Sequence, residues 1–303
     1  MLNAENTRPG SAGPAEAAAT ASALDTSTSV DTSTGPAAAT TAPDGILSDA
    51  ELATLAADLT ALALATPRAF GPALVFPPLS ATAAADPADP ADPANTDTPA
   101  NPYWQIIRNL PTETRGGITG PTTMWLSAPA EVRERAVVAG LDRAALSRRY
   151  SWSIPSPGDI AWIRATVGAR GVVEPGAGGG YWAWLMRAAG IDTVAYDPFP
   201  ASTANGYAKR AYTAVEPGDD SVAARHADRA LFLCWPNNND PWAARAVTAY
   251  RGDMLIYAGQ EAGGSTADDR FFELLADRWE HTGASADHVT YGGVPCRLGV
   301  WRR

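Results

Sequence analysis

Residues 172–182 read Val-Val-Glu-Pro-Gly-Ala-Gly-Gly-Gly-Tyr-Trp, and they carry the clearest indication of the fold in this sequence. The apolar pair predicts a buried strand, the glycine cluster a tight turn, and the residues from Tyr181 onward a helix. This is the first strand–turn–helix unit of an α/β sheet. Ligands of such sheets bind outside the carboxyl ends of the strands, so we expect the ligand of this chain at the glycine turn.

The spacing of the glycines argues against two nucleotide sites. A phosphate loop needs a lysine after its last glycine, and this stretch has none. A dinucleotide fingerprint needs its third glycine three places after the second, where Tyr181 stands. The spaced glycines are instead Gly176, Gly178 and Gly180, and Glu174 precedes them. This register suits a ligand with an amino-acid head and no pyrophosphate, because glycine lets the backbone approach it and a carboxylate can hold its positive charge.

Apolar runs alternate with helical stretches from the glycine turn to the end of the chain. The runs lie at 172–173, 193–196, 212–215, 230–234 and 254–258, with helical stretches at 181–189, 222–227, 242–250 and 269–279. Such alternation predicts a mostly parallel sheet of about seven strands, covered by helices on both faces. The last two runs, 288–291 and 297–301, leave no room for a helix between them, so we expect an antiparallel hairpin at the sheet edge.

Asp197 ends the second predicted strand, about 20 residues after the first loop glycine. A carboxylate at this position accepts hydrogen bonds from both hydroxyls of a ribose. The glycine loop and Asp197 together therefore predict a nucleoside that carries an amino-acid head.

These residues resemble class I S-adenosylmethionine-dependent methyltransferases over roughly 168–303. The resemblance implies a Rossmann-like sheet, S-adenosylmethionine as cofactor and methyl transfer to an unidentified small-molecule acceptor. It also implies an acid near the adenine amino group after the third strand, Asp219 or its neighbour Asp220. The expected cofactor-binding residues are Glu174, Gly176, Ala177, Gly178, Gly180, Tyr181, Asp197 and Asp219. Segments at 150–155, 176–197, 231–236 and 250–264 are similar to a narrower group of methyltransferase-like proteins from actinobacteria and fungi.

The end of the fourth strand carries the candidate acceptor site. Amino-group methyltransferases have the motif Asp/Asn/Ser-Pro-Pro-aromatic there, and this chain matches it only at Pro236. Methylation of a nitrogen atom therefore cannot be inferred for this chain from that motif. Trp235 offers a π face for a sulfonium or a flat substrate, although a core tryptophan is an equal alternative. Asn237 can orient an acceptor or simply form a turn. Glu261, after the fifth strand, is the candidate general base. The alternative interpretation is that Glu261 is a solvated loop residue without a catalytic role.

Cysteine and histidine usage gives no metal site or disulfide scaffold. Cys234 and Cys296 are too few for a scaffold and lie among apolar neighbours, as buried free thiols do. Cys296 follows a proline, as the nucleophile of cytosine methylation does, but lies far beyond the fourth strand, so we assign it no such role. The three histidines have neither i, i+4 spacing nor cysteine partners, so no metal site is predicted.

The first hundred residues differ from the rest. Residues 1–100 contain no Trp or Tyr, and Arg8 and Arg68 are their only bases, so the net charge of −10 belongs to this segment. We expect a largely disordered acidic tail rich in Ala, Thr and Pro. One helix is expected at 49–65, because Ser48 and Glu51 form a capping box before a series of leucines at helical spacing. This helix either docks on the folded part or serves a partner.

Residues 101–167 form the second predicted region, a helical prelude that can act as a lid, and 168–303 form the α/β domain. Bases and acids balance beyond residue 100, which argues against a nucleic-acid partner. The absence of a legible signal peptide or membrane span predicts a soluble, cytoplasmic protein. The sequence does not fix the oligomeric state.

Three functions remain open at this stage. The leading one is a methyltransferase whose prelude, with Tyr150 and Trp152, closes over the cofactor. The alternative is a non-catalytic S-adenosylmethionine-binding or scaffold module on the same fold, because fold alone does not decide function. The third is a dehydrogenase.

Overall fold

The computed structural model describes residues 47–65, 75–76, 101–123, 125, 128–202 and 204–303. The predicted tail therefore lies outside the described residues except for 47–65 and 75–76. The described residues belong to one compact unit.

A seven-stranded sheet forms the centre of this unit. Five strands are parallel: β4 (Val172–Pro175), β5 (Thr193–Asp197), β6 (Glu216–Pro217), β7 (Ala230–Cys234) and β8 (Met254–Gln260). Two further strands, β9 (Glu280–Ala284) and β10 (Cys296–Arg302), pair antiparallel with each other, and β10 also pairs antiparallel with β8. The order is β6-β5-β4-β7-β8-β10-β9. The predicted Rossmann-like sheet, mostly parallel with a C-terminal antiparallel pair, is confirmed.

Successive residues of a strand point to opposite faces of the sheet, and in the central strands the residues on both faces are apolar. Helices therefore cover both faces. Phe232 of β7 packs in one core with Trp182, whereas Leu231 packs in the other with Val247 and Phe271. The first core includes α5 (Pro157–Val167) and α6 (Tyr181–Ala188). The second includes α7 (Trp242–Ala249), α8 (Asp269–Arg278) and a 3-10 helix over Asp220–Arg225.

The prelude is helical, as expected, and also contains a small sheet that the sequence did not predict. Its helices are α2 (Pro102–Ile107), α3 (Ala130–Val138) and α4 (Arg143–Arg149). Strands β2 (Thr112–Arg115) and β3 (Ile118–Pro121) form a hairpin, and β1 (Val75–Phe76) pairs with β2.

The N-terminal helix α1 spans Asp49–Ala65, and it docks on the prelude. Leu52 and Leu59 are fully buried in the same core as α2, and Thr60 donates a hydrogen bond to the carbonyl of Asn109 at 2.8 Å. Asp49, at the start of the helix, accepts hydrogen bonds from Arg149 and from the hydroxyl of Tyr150, both at 2.6 Å. Of the two roles left open by the sequence, the structure therefore shows docking.

Two predicted strands are placed differently in the structure. The predicted strand at 288–291 is a loop, and its place in the antiparallel pair is taken by β9, which is mostly exposed. The predicted strand at 212–215 is displaced to β6, because Tyr212 instead donates its backbone N–H to Gly179 and its hydroxyl to the carbonyl of Arg149. No helix among the described residues is both long and apolar enough to span a lipid bilayer.

Candidate functional site

A cavity of about 790 Å³ opens at the carboxyl ends of β4, β5 and β7. Its lining brings together most of the residues that the sequence selected: Glu174, Gly176, Ala177, Gly178, Tyr181, Asp197, Asp219, Trp235 and Asn237. Gly180, Pro236 and Glu261 are not part of this lining. Its position outside the strand ends is the one expected for a ligand site in an open α/β sheet.

The glycine loop requires glycine for backbone reasons. Gly176 and Gly180 both have φ of +73°, which side-chain-bearing residues rarely adopt. A Cβ atom on Gly176 would also lie 2.8 Å from the ring of Trp242. Gly180 is the N-cap of α6, so it shapes the turn without lining the cavity.

Glu174 is a buried carboxylate with an unsatisfied oxygen. It is the third residue of β4 and lines the cavity. The residue is 2% exposed, and its Oε2 has no hydrogen-bond partner among the described residues. Burial raises the pKa of Glu174 to about 8, against the opposing effect of the Arg187 charge. A buried acceptor without a donor is costly, so this oxygen is suited to a donor that arrives with a ligand.

Asp197 ends β5 beside the glycine loop, and it is 7% exposed. Its Oδ2 accepts from the backbone N–H of Gly178 at 2.8 Å, and its Oδ1 accepts from the N–H of Phe199 at 2.8 Å and the amide of Asn205 at 3.3 Å. A carboxylate offers about four acceptor positions. Asp197 therefore shapes the loop and still has acceptor capacity on Oδ2.

The two acids after β6 make local contacts at the edge of the cavity. Asp219 is exposed and accepts from the N–H and the hydroxyl of Ser221, which hold its pKa below the ordinary value. Asp220 forms a bidentate ion pair with Arg245 at 2.9 and 3.0 Å. Both acids line the cavity, as does Arg245.

The prelude supplies one wall of the cavity. Tyr150, Ser151 and Trp152 line it, and the role of the prelude as a lid stays a prediction. Tyr181 also lines it, but its hydroxyl is already used, since it donates to Asn101 Oδ1 at 2.7 Å and accepts the N–H of Tyr103 at 3.0 Å. Only the ring of Tyr181 is therefore offered to a ligand.

The end of β7 forms a wall next to the prelude, with Cys234 Sγ 3.7 Å from Ser151 Oγ. Trp235 is half-buried, has φ of +48°, and has the guanidinium of Arg143 5.3 Å from its ring centre. Asn237 Oδ1 accepts from the indole N–H of Trp242 at 3.4 Å. Pro236 is buried behind this wall, with its carbonyl accepting from the N–H of Ala267 at 2.9 Å.

Glu261, the candidate general base, lies outside the cavity. Its side chain is 61% exposed and forms an ion pair with Arg297 of β10. This environment fits a solvated loop residue better than a general base.

Several cavity residues were not selected from the sequence. Those that follow β5 are Phe199, Asn205 and Tyr207, and those near β7 are Trp242, Arg245 and Ser265. Asn205 organises its loop, because its Oδ1 accepts the N–H groups of Tyr207 and Ala208, both at 2.8 Å. The Asn-Gly pair at 205–206 is a turn signal that could have indicated this loop.

Within the described residues, no group of three or more His, Cys, Asp or Glu is arranged to hold a metal ion. The cavity lining contains carboxylates, glycine backbone and aromatic rings.

No protein-family model and no curated protein matches the chain. A solved structure described as "Conversion of a Disulfide Bond into a Thioacetal Group during Echinomycin Biosynthesis" is similar at 15% identity and a TM-score of 0.36, covering 55% of this chain and 90% of the other. The 1,6-didemethyltoxoflavin-N1-methyltransferase of Burkholderia thailandensis is similar at 18% identity and a TM-score of 0.30, covering 48% and 76%.

Magnesium protoporphyrin IX methyltransferase of Synechocystis PCC 6803, solved with bound S-adenosylmethionine, is similar at 12% identity and a TM-score of 0.29, covering 48% of this chain and 76% of the other. These values are low, so the likenesses say nothing about the substrate or activity of this chain. The fold stands on the sheet order and strand directions described above.

Proposed function

We propose that this chain binds S-adenosylmethionine in the 790 Å³ cavity and transfers its methyl group to a small-molecule acceptor. The observation that carries the proposal is the unpaired Oε2 of Glu174, a buried carboxylate oxygen on the cavity wall. A buried charge is tolerated when it is paired, and an ammonium group is the partner that an amino-acid head provides.

The residues around Glu174 fit the rest of such a cofactor. Gly176 and Gly178 let the backbone approach the ligand, and the remaining acceptor capacity of Asp197 suits a ribose hydroxyl. We assign Asp219, which lines the cavity, to the adenine amino group. When bound, S-adenosylmethionine supplies an electrophilic methyl group on a sulfonium.

The remaining walls suit alignment of an acceptor more than acid–base chemistry. Trp235 presents an aromatic face, and Asn237 a polar side chain, on the same cavity lining as Tyr150 and Trp152. Ligand pockets span about 300–1,000 Å³, so the cavity has room for a cofactor beside a compact acceptor. Holding two reactants in line supplies much of the rate enhancement that a methyl transfer needs.

The second candidate function, a non-catalytic binding or scaffold module, loses one of its supports. The helix proposed to serve a partner has Leu52 and Leu59 buried inside this chain, so its main apolar face is already used. A module that senses the cofactor stays in competition with the enzyme.

Titration calorimetry with S-adenosylmethionine and with its demethylated product tests the proposal, with NADH as the matched control for a dehydrogenase. We expect the first two to bind and NADH not to bind. Transfer of a labelled methyl group to a metabolite extract then separates the enzyme from the sensor. Failure of both sulfur nucleosides to bind would overturn the proposal.

A further inference from the structure

Three buried polar atoms without hydrogen-bond partners belong to residues that line the 790 Å³ cavity. They are Oε2 of Glu174, Oγ of Ser147 and the indole Nε1 of Trp152, and none of them has a partner among the described residues. The first is an acceptor, and the other two can donate. Buried polar groups are nearly always paired, so orphaned atoms of both kinds on one cavity indicate partners that a ligand brings.

Ser147 of α4 supplies the first donor, and it is 1% exposed. The neighbouring hydroxyl of Tyr103 is already paired with the hydroxyl of Tyr291, at 2.9 Å. A serine inside a helix can also donate to the carbonyl four residues earlier, but Ser147 makes no such bond to Arg143. The Ser147 hydroxyl is therefore left for a ligand.

Trp152 supplies the second donor, three residues after the end of α4. Its indole lines the large cavity and also a separate narrow space of about 10 Å³. That narrow space has room for one water molecule. The indole N–H therefore has two candidate partners, a ligand in the large cavity or a water in the narrow space, and a substitution of Trp152 distinguishes them.

Glu174 lies at the same end of the cavity as these donors, and Cys234 of β7 connects the two sides. Cys234 Sγ lies 3.7 Å from the hydroxyl oxygen of Ser151, which stands between Ser147 and Trp152 in the prelude. Burial, and to a lesser extent the charge of Glu174, raises the pKa of Cys234, so these two side chains are neighbours. The acceptor from the sheet and the donors from the prelude can therefore contact one small group.

The two sides of this end differ in charge. Glu174 places a carboxyl group on the sheet side. Arg143 lies one helical turn before Ser147, on the same face of α4. Its guanidinium lies 5.3 Å from the ring centre of Trp235, which lines the cavity, and its buried Nε has no hydrogen-bond partner among the described residues. The prelude side therefore suits an anionic group, and the sheet side a cationic one.

We propose that Ser147, together with Trp152, binds the carboxylate of the amino-acid head whose ammonium group pairs with Glu174. The ammonium and the carboxylate of such a head share one carbon atom, so a site for both needs an acceptor and donors close together. A ligand that lacks the carboxylate leaves both donors unpaired, which lowers its affinity. The prelude thus makes the site selective for an intact S-adenosyl amino acid. This inference rests on the proposed function, because it concerns the same cofactor.

Titration calorimetry of the whole chain with S-adenosylmethionine and with its decarboxylated form tests this inference. The decarboxylated form keeps the ammonium, the sulfonium and the nucleoside and lacks only the carboxylate. We expect the wild type to bind S-adenosylmethionine at least about tenfold more tightly. Equal affinity, or tighter binding of the decarboxylated form, would overturn this inference and leave the proposed function standing. Failure of both ligands to bind would overturn both.

Variants assign the preference to its donors. Ser147→Ala should weaken binding of S-adenosylmethionine about tenfold and change binding of the decarboxylated form less than about twofold. Trp152→Phe keeps an aromatic ring without the N–H, and it should show the same pattern. Thr248→Val is the matched control, because it removes an exposed helical hydroxyl outside the cavity lining, and it should change neither affinity.

Thermal unfolding without ligand separates this role from a structural one. Ser147→Ala should unfold at the same temperature as the wild type or a higher one, because the hydroxyl that it removes is buried and unpaired. A lower unfolding temperature with an unchanged affinity ratio would show that the hydroxyl is structural, and the proposal would be wrong. A wild-type ratio in Trp152→Phe would assign the indole N–H to water in the narrow space and overturn its part in the proposal.

Discussion

The backbone N–H of Gly178 donates to Asp197 Oδ2 at 2.8 Å, which joins the loop after β4 to the end of β5. The glycine loop and Asp197, from which the cofactor was inferred, are therefore parts of one hydrogen-bonded structure. They do not contribute independently to ligand binding. Phe199 N–H completes this arrangement by donating to the other oxygen of Asp197. A substitution at Asp197 must therefore affect both the ligand and the loop that receives it.

Asp197→Ala should weaken S-adenosylmethionine binding and also lower the stability of the unliganded protein. The partly buried N–H groups of Gly178 and Phe199 lose their acceptor, and each lost hydrogen bond costs about 0.5–1.5 kcal/mol. Asp197→Asn keeps an oxygen acceptor but loses the charge, so it should retain more stability than Asp197→Ala. Calorimetry gives the affinity, and thermal unfolding gives the stability.

Asp277→Asn is the matched control for these variants, because Asp277 is exposed on α8 and does not line the cavity. It should change neither quantity. Unaltered affinity in Asp197→Ala would contradict the assignment of this acid to the ribose.

Glu174 should release a proton when S-adenosylmethionine binds near pH 6.5. Its pKa of about 8 in the unliganded chain leaves it mostly protonated there, and a bound ammonium stabilises the ionised form. Affinity should therefore rise as the pH approaches 8. Calorimetry in buffers of different ionisation enthalpy should count about one proton released by the wild type and none by Glu174→Gln.

The same pKa has a consequence for stability. An acid whose pKa is raised on folding disfavours the folded state once it ionises, so the unliganded chain should lose stability as pH rises from about 4.5 to 8. Glu174→Gln should flatten this part of the profile. An equal slope in both proteins would show that the Glu174 carboxylate is paired in solution.

Sequence patterns predicted the parts of the fold whose signal is apolar. Strand β7 was predicted with its observed bounds, because Ala230–Cys234 is a continuous apolar run buried from both sides. Strand β9 was missed because Glu280–Ala284 is an exposed edge strand with polar residues and no hydrophobic pattern. The apolar run at 288–291 is used elsewhere, since Tyr291 lies in the core with its hydroxyl 2.9 Å from that of Tyr103.

The same distinction holds for the site. The glycine loop and Asp197 were visible because their spacing is local and their backbone demands are specific. The place of Ser147 on the cavity lining was not, because it depends on how α4 packs against the sheet. Glu261 was selected from topology alone, and no sequence pattern indicates its ion pair with Arg297 outside the cavity.

Asp49→Ala should loosen the N-terminal helix from the prelude. Asp49 accepts from Arg149 and Tyr150 and pairs with Arg210 at 3.2 Å, so its loss should lower the free energy of unfolding by about 1–3 kcal/mol. Burial opposes the charge, but these hydrogen bonds outweigh it and hold the pKa of Asp49 below 3.8. Its contribution is therefore present above pH 3.8 and is lost as the pH falls through the lower folded value.

Denaturant unfolding between pH 2 and pH 7 checks this prediction, with Asp58→Ala, an exposed residue of the same helix, as the control. The difference between wild type and Asp49→Ala should shrink at the acid end. A constant difference would mean that the carboxylate charge is not what holds the helix.

Glu261→Gln should leave methyl transfer unchanged, because Glu261 is exposed and paired with Arg297 outside the cavity. Asn237→Ala should instead lower turnover with little change in cofactor affinity, because Asn237 lines the wall proposed for the acceptor. Initial rates and calorimetry on both variants check this contrast. Loss of turnover in Glu261→Gln would restore that residue as a general base.

Gly176→Ala should damage the loop through two separable effects. The φ of +73° strains any residue with a Cβ by about 1–3 kcal/mol, and that Cβ would lie 2.8 Å from the ring of Trp242. Gly190→Ala is the matched control, since Gly190 has φ of +79° but nothing within 4 Å of an added Cβ. It should show the backbone strain alone and keep S-adenosylmethionine binding. Thermal unfolding and calorimetry on both variants therefore separate strain from collision, and equal stability loss in the two would mean that Trp242 moves aside without cost.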